Sequence, residues 1–214
     1  KNFDLSWTQN AQFFSKSLSQ KLKFIEQNKI QGKQYYVEEG IEFRNEVEYT
    51  QFDDKDKNFR LLALFRFWNY VEYFFPYKYQ MDQNWDLTLT EFLPRTINPV
   101  SEADYYLSLK ELSAKLNDSH ALFGANKLFN VFGWNFIPFD VKFIDNKAVV
   151  TGFKNESLSK INDIKVGDVI TKVNGKTIGE LIKENQKYVE GSNSAAILNN
   201  IQWPIFYGST DTGE

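Results

Sequence analysis

Near residue 132 the spacing of apolar residues changes, and that change constrains the fold more than any other feature of the chain. Before it, apolar side chains recur every three to four positions. After it, they alternate. A chain that switches period in this way is expected to build helices first and strands second, an α+β organisation. The segment KNFRLLALFRFWNYVEYFF, residues 57–75, is the most apolar. Its stripe of Leu61, Leu64, Phe65, Trp68, Val71 and Phe75 predicts a helix buried on more than one face, ended by Pro76. Asp82 is placed to cap a second helix, on which Trp85, Leu89 and Phe92 share a face ahead of Pro94. Ser101 with Asp104 resembles a capping box and opens a third helix with Tyr105, Leu109, Leu112 and Leu116 in register. An earlier helix is expected over residues 8–28, with Phe14, Leu18, Leu22 and Ile25 on one side. Between it and the apolar helix, Tyr-Tyr-Val and Ile-Glu-Phe flank Glu-Glu-Gly, which predicts two short strands and a turn.

Beyond the change of period, FIPFDVKFIDNKAVVTGF reads as two strands around Asp145-Asn146, with Pro138 at an edge or strand start. Residues 158–178, LSKINDIKVGDVITKVNGKTI, follow a helical turn with a tight turn, a strand and a hairpin. Gly167 permits positive φ, and Asp168 can accept amide hydrogen bonds at the same turn. Val169, Ile170 and Val173 are assigned to the core, and Asn174-Gly175 suits a type I′ turn. A polar helix over GELIKENQKYVEG and a shorter one over SNSAAILNNI complete the reading.

Composition removes several classes of function. The net charge is −3 with lysines and acids interspersed, and no basic stripe points to nucleic acid. No apolar run reaches the roughly 20 residues of a membrane span. Cysteine is absent, which excludes disulfides, thiolate zinc sites and a cysteine nucleophile. Asp118 and Asp54 stand near other acids, yet neither sits in a calcium-loop or His-x-x-His spacing, so neither a metal nor a cofactor is expected. The run FDDKDK reads as a solvated loop. The chain starts without Met, its one Met is Met81, and both ends read as cut from a longer precursor.

The stretch LNDSHALF, residues 116–123, holds His120, the one histidine, just past the third helix. From the residues alone, the imidazole could be a reactive group, a metal ligand or a packing residue. The 158–178 stretch resembles the core of a PDZ domain. A helix ending in Leu-x-Asp-Ser-His-Ala just upstream of it resembles the tricorn-core and C-terminal-processing serine peptidases. This resemblance spans about residues 57–205. It implies a small helical domain followed by a PDZ-like β-sandwich or barrel domain with two helices. His120 would be the general base, and Ser119 would help position the site. Phe136, Ile137, Phe139 and Val141 would lie along the groove strand for a polypeptide substrate, although the familiar Gly-Leu-Gly-Phe loop is missing.

In that family the nucleophilic serine and the glutamate of the tetrad follow on an α/β domain, absent from these 214 residues. The missing domain is therefore an expected partner, and this chain alone is expected to be inactive. The expected parts are an N-terminal helix with short strands over 1–55, a helical domain over 56–125, a PDZ-like domain over 126–205 and a link over 206–214. The resemblance also implies a periplasmic, cell-envelope or secreted setting. The competing reading is a non-enzymatic helical adaptor with a PDZ-like peptide-binding module, in which His120 is a surface or capping residue. A catalytic His120 is expected on an exposed loop or strand start. Burial among the aromatics of residues 57–116 would point to packing instead.

Overall fold

The computed structural model describes residues 5–10, 12–28, 37–38, 42–43, 45–155, 157 and 163–209. The chain packs as two compact units, Lys1–Asp53 with Phe65–Pro76, and Asp54–Leu64 with Tyr77–Glu214. The expected boundary near residue 125 falls inside the second unit. Helices and small antiparallel sheets are both present, so the fold is α+β.

In the first unit, α1 spans Lys16–Gln27, shorter than the helix expected from residue 8. Asn10 and Ser15 explain the late start, because both side chains compete for backbone amides. Asn10 Oδ1 accepts from the Gln12 N–H at 2.9 Å, and Ser15 caps α1 by accepting from Leu18 N–H. Leu18 and Ile25, two of the residues that the spacing puts on one side of α1, are exposed, as is Phe24. The strands β1 (Val37–Glu38) and β2 (Glu42–Phe43) pair antiparallel, as expected, and their connecting turn lies outside the described residues. Arg66 bonds Glu46 and Tyr70, and the Tyr70 hydroxyl, its hydrogen-bond partner, holds its guanidinium above the usual arginine range.

Helix α2, Lys57–Phe74, contributes residues to both units. In the second unit, its Arg60 is buried and donates to four carbonyls, those of Asp54, Lys55, Thr96 and Ile97, at 2.8–2.9 Å. The last two are C-terminal carbonyls of α3, Trp85–Ile97, groups that no intrahelical amide can reach. This anchoring accompanies a helix that continues through Pro94 instead of stopping there. Its cap is Asn84, not Asp82, with Asn84 Oδ1 accepting from Asp86 N–H. Helix α4, Glu102–Ala114, starts at Ser101 as the sequence suggested. Ser101 Oγ accepts from Asp104 N–H at 3.1 Å, while Asp104 reaches one residue further back, to Val100 N–H at 3.0 Å.

A short helix α5, Phe129–Phe132, leads into β3, Asn135–Phe136. Strands β4 (Phe139–Ile144) and β5 (Lys147–Phe153) form a hairpin with a bulge between Asp140 and Val141. Its turn residues Asp145 and Asn146 have φ of 48° and 60°, the two positive values a type I′ turn needs. β6 (Val169–Ile170) pairs with β5, giving the order β4-β5-β6. Gly167, at φ 98°, donates to Val150 O, and Asp168 Oδ2 accepts from Lys165 N–H at 2.8 Å. Strands β7 (Lys172–Val173) and β8 (Lys176–Thr177) flank Asn174-Gly175, again with both φ positive. Ile170 and Val173 pack against the core, but Val169 points to solvent, because adjacent strand residues face opposite ways. The helical turn expected at the start of this stretch lies outside the described residues.

Helix α6, Ile178–Asn185, opens on a complete capping box between Thr177 and Glu180. Hydrogen bonds from Thr177 hold the Glu180 carboxyl below the usual range. Helices α7 (Ser194–Asn200) and α8 (Gln202–Phe206) follow, and β9 (Tyr207–Gly208) returns to pair with β3. Gly133 makes that return possible. It has φ of 90°, and a Cβ there would come within 2.0 Å of the Gly208 backbone. Phe139, Val141, Ala148, Val150, Ile178, Val189, Ile201, Ile205 and Phe206 form the buried core of this β-rich half.

Candidate functional site: the Ser-His loop and the free strand edge

Beyond α4 the chain turns at Asn117, whose φ of 52° is tolerated by its short polar side chain. Asp118 then makes an Asx turn, its Oδ1 accepting the His120 N–H at 2.9 Å. The same oxygen lies 3.1 Å from His120 Nδ1. A carboxylate has no proton to give, so in the neutral imidazole this contact favours the tautomer with the proton on Nδ1 and the lone pair on Nε2. The imidazole is 95% exposed, on a loop and clear of the aromatic core. An exposed imidazole is what both the catalytic and the surface-residue readings of His120 require, while packing among the aromatics is ruled out. The sequence raises Asp118 only as a metal ligand, and its place two residues before His120 is the signal that marks it as the orienting group. Among the described residues, no cluster of three or more His, Asp or Glu is placed to hold a metal ion.

Ser119 does not bond to His120. Its N–H donates to Ser192 Oγ at 3.0 Å, its Oγ accepts from Ser192 N–H at 2.9 Å, and the two hydroxyls are 3.1 Å apart. On the other side of His120, the Ala121 carbonyl accepts from Ser113 of α4. Both backbone groups of Phe123 are then taken by a buried ion pair. Phe123 N–H donates to Glu190 Oε1 at 3.0 Å, and Phe123 O accepts from Lys110 Nζ at 3.0 Å. Lys110 Nζ also lies 2.9 and 2.7 Å from the two Glu190 oxygens, so its three protons have three acceptors. The side chains of Lys110 and Glu190 are only 10% and 3% exposed. The sequence offers Lys110 as a helical lysine and Glu190 as the end of the polar helix GELIKENQKYVEG, but that helix stops at Asn185 and Glu190 lies beyond it.

The four residues assigned to a groove strand divide by face. Phe139 and Val141 are buried in the core, Ile137 is half-buried, and Phe136 is exposed. Ile137 N–H donates to Phe206 O at 3.3 Å, and Phe136 pairs with Tyr207. The edge at residues 135–137 therefore already has a partner within the chain. β4 differs, since among the described residues it bonds in its sheet only to β5. A two-residue hairpin makes Ile144 and Lys147 a hydrogen-bonded pair, and the alternation along β4 turns the backbone groups of Phe143 and Val141 outward. Helix α7 packs its Ile197 against the core that Phe139 and Val141 of β4 help to form.

Residues 133–202 match the model of the PDZ domain family, and this part of the chain is a PDZ domain, a class that binds peptides. No curated protein matches the chain. Among the described residues, no helix is long and apolar enough to cross a membrane.

Proposed function

We propose that this chain is the helical and PDZ-containing part of a serine endopeptidase, with His120 as its general base. The observation that carries the reading is the setting of the imidazole. Nδ1 is held by Asp118 at 3.1 Å, and Nε2 is unencumbered on a ring exposed to incoming groups. A base needs that pairing, in which one nitrogen is oriented by a carboxylate and the other is free to take a hydroxyl proton. The nucleophilic serine would come from outside these 214 residues, in the longer protein. There, Nε2 would accept the serine proton as its oxygen attacks the peptide carbonyl, and return it to the leaving amine. Ser119, bonded to Ser192, would steady the loop.

The PDZ domain would bind the polypeptide as an added strand on the outer edge of β4, with main-chain bonds to Val141 and Phe143. The resemblance to tricorn-type and C-terminal-processing peptidases supports a periplasmic, cell-envelope or secreted setting. Labelling of the longer protein with a serine-directed fluorophosphonate tests the proposal. One serine should be labelled in the wild-type protein, and labelling should fall to background in His120→Ala. Equal labelling of both would remove His120 as the base, and labelling of neither alongside intact peptide binding would favour a peptide-binding adaptor.

A further inference from the structure

The loop that carries His120 is gripped by one short segment of the PDZ domain, the turn Glu190-Gly191-Ser192. Ser192 exchanges two backbone-to-hydroxyl bonds with Ser119, the residue just before His120. Glu190 accepts from Phe123 N–H and holds Lys110, which in turn takes Phe123 O, three residues after His120. Gly191 between them is pressed on α7, where an added Cβ would lie 2.6 Å from Ile197 Cγ1 and 2.8 Å from Ile197 N. Asn200 Nδ2, at the end of the same helix, donates to Glu190 O at 3.0 Å. The turn is thus fixed to the helix behind it, and both flanks of the His120 loop are fixed to the turn.

We infer that Ser192 and Glu190 are positioning residues for His120, acting through Ser119 and Phe123. This rests on the reading of His120 as the base. An exposed imidazole on an untethered loop would sample many orientations, and a displacement of about 1 Å can cost about 100-fold in rate. Asp118 alone sets the ring relative to its own loop. The 190–192 turn sets that loop relative to the rest of the unit.

Ser192→Ala is the informative variant, because its side chain is exposed and its loss leaves the buried ion pair in place. His120 is the only histidine, so its two ring nitrogens give unambiguous ¹⁵N signals in the 214-residue chain. In wild-type protein these should report protonation at Nδ1. In Ser192→Ala the ring signals should keep this pattern, because Asp118 is still in place, while the ¹⁵N order parameters of the backbone amides of residues 119–123 should fall and Ser192→Thr should restore them. In the longer protein, Ser192→Ala should lower kcat by about 10- to 100-fold with KM unchanged, again restored by threonine. Wild-type backbone order across residues 119–123 in Ser192→Ala would overturn the positioning role, whatever hydrolysis does. If that order falls while His120→Ala still hydrolyses peptide at the full rate, the positioning stands and the base assignment falls.

Discussion

The two ends of the connection after α4 are built in opposite ways. At one end, His120 is almost wholly exposed and held by a single carboxylate two residues away. At the other, Phe123 is bound on both backbone groups by an ion pair that water scarcely reaches. At the exposed end the ring is oriented locally, by Asp118, while its neighbour Ser119 is tied to Ser192 from 73 positions away, and the imidazole stays chemically available. The buried end is long-range, strongly held and chemically silent. A reactive side chain needs both, since its ring must meet another group while its backbone stays in place. Binding and catalytic residues sit on loops for this reason, with precision supplied by the scaffold underneath.

The contrast predicts that substitutions at the two ends separate stability from chemistry. The largest stability effect belongs to the buried end. Glu190→Ala leaves the Lys110 ammonium without its partner and should destabilise the second unit by about 3–5 kcal/mol, read as a lower denaturation midpoint. An unchanged midpoint would mean that the pair is not what anchors the loop. At the exposed end, Asp118→Ala should cost about 0.5 kcal/mol or less, because its bonds are local and partly solvated. The same variant should nevertheless shift the His120 ring toward protonation at Nε2. A large stability loss in Asp118→Ala, with no change at the imidazole, would erase the distinction between the ends.

How much of this was legible in the sequence follows the same division. Ser101, Asn174-Gly175 and Asp145-Asn146 act through neighbours three or fewer residues away, and each sits where its chemistry predicts. The exposed loop at His120 is what its reading as a base requires, an expectation carried by the family resemblance and not by the spacing of its neighbours. The tethers could not be read this way. Ser119 and Ser192 are separated by 73 positions, and Lys110 and Glu190 by 80, so no local pattern joins them. Arg60 illustrates the same limit, because its partners Thr96 and Ile97 lie 36 and 37 residues on, and their grip accompanies a helix that runs through Pro94. Val169 was misassigned for a local reason. Adjacent strand residues cannot both face the core, and Ile170 holds that side.

The central claim is that the exposed end of this connection does chemistry and the buried end does not. Peptide hydrolysis by the longer protein, measured beside its unfolding midpoint in wild type and His120→Ala, tests it most directly. The claim predicts a fall in kcat of about 10²–10⁴-fold with the midpoint unmoved. Hydrolysis at the wild-type rate in His120→Ala would contradict it.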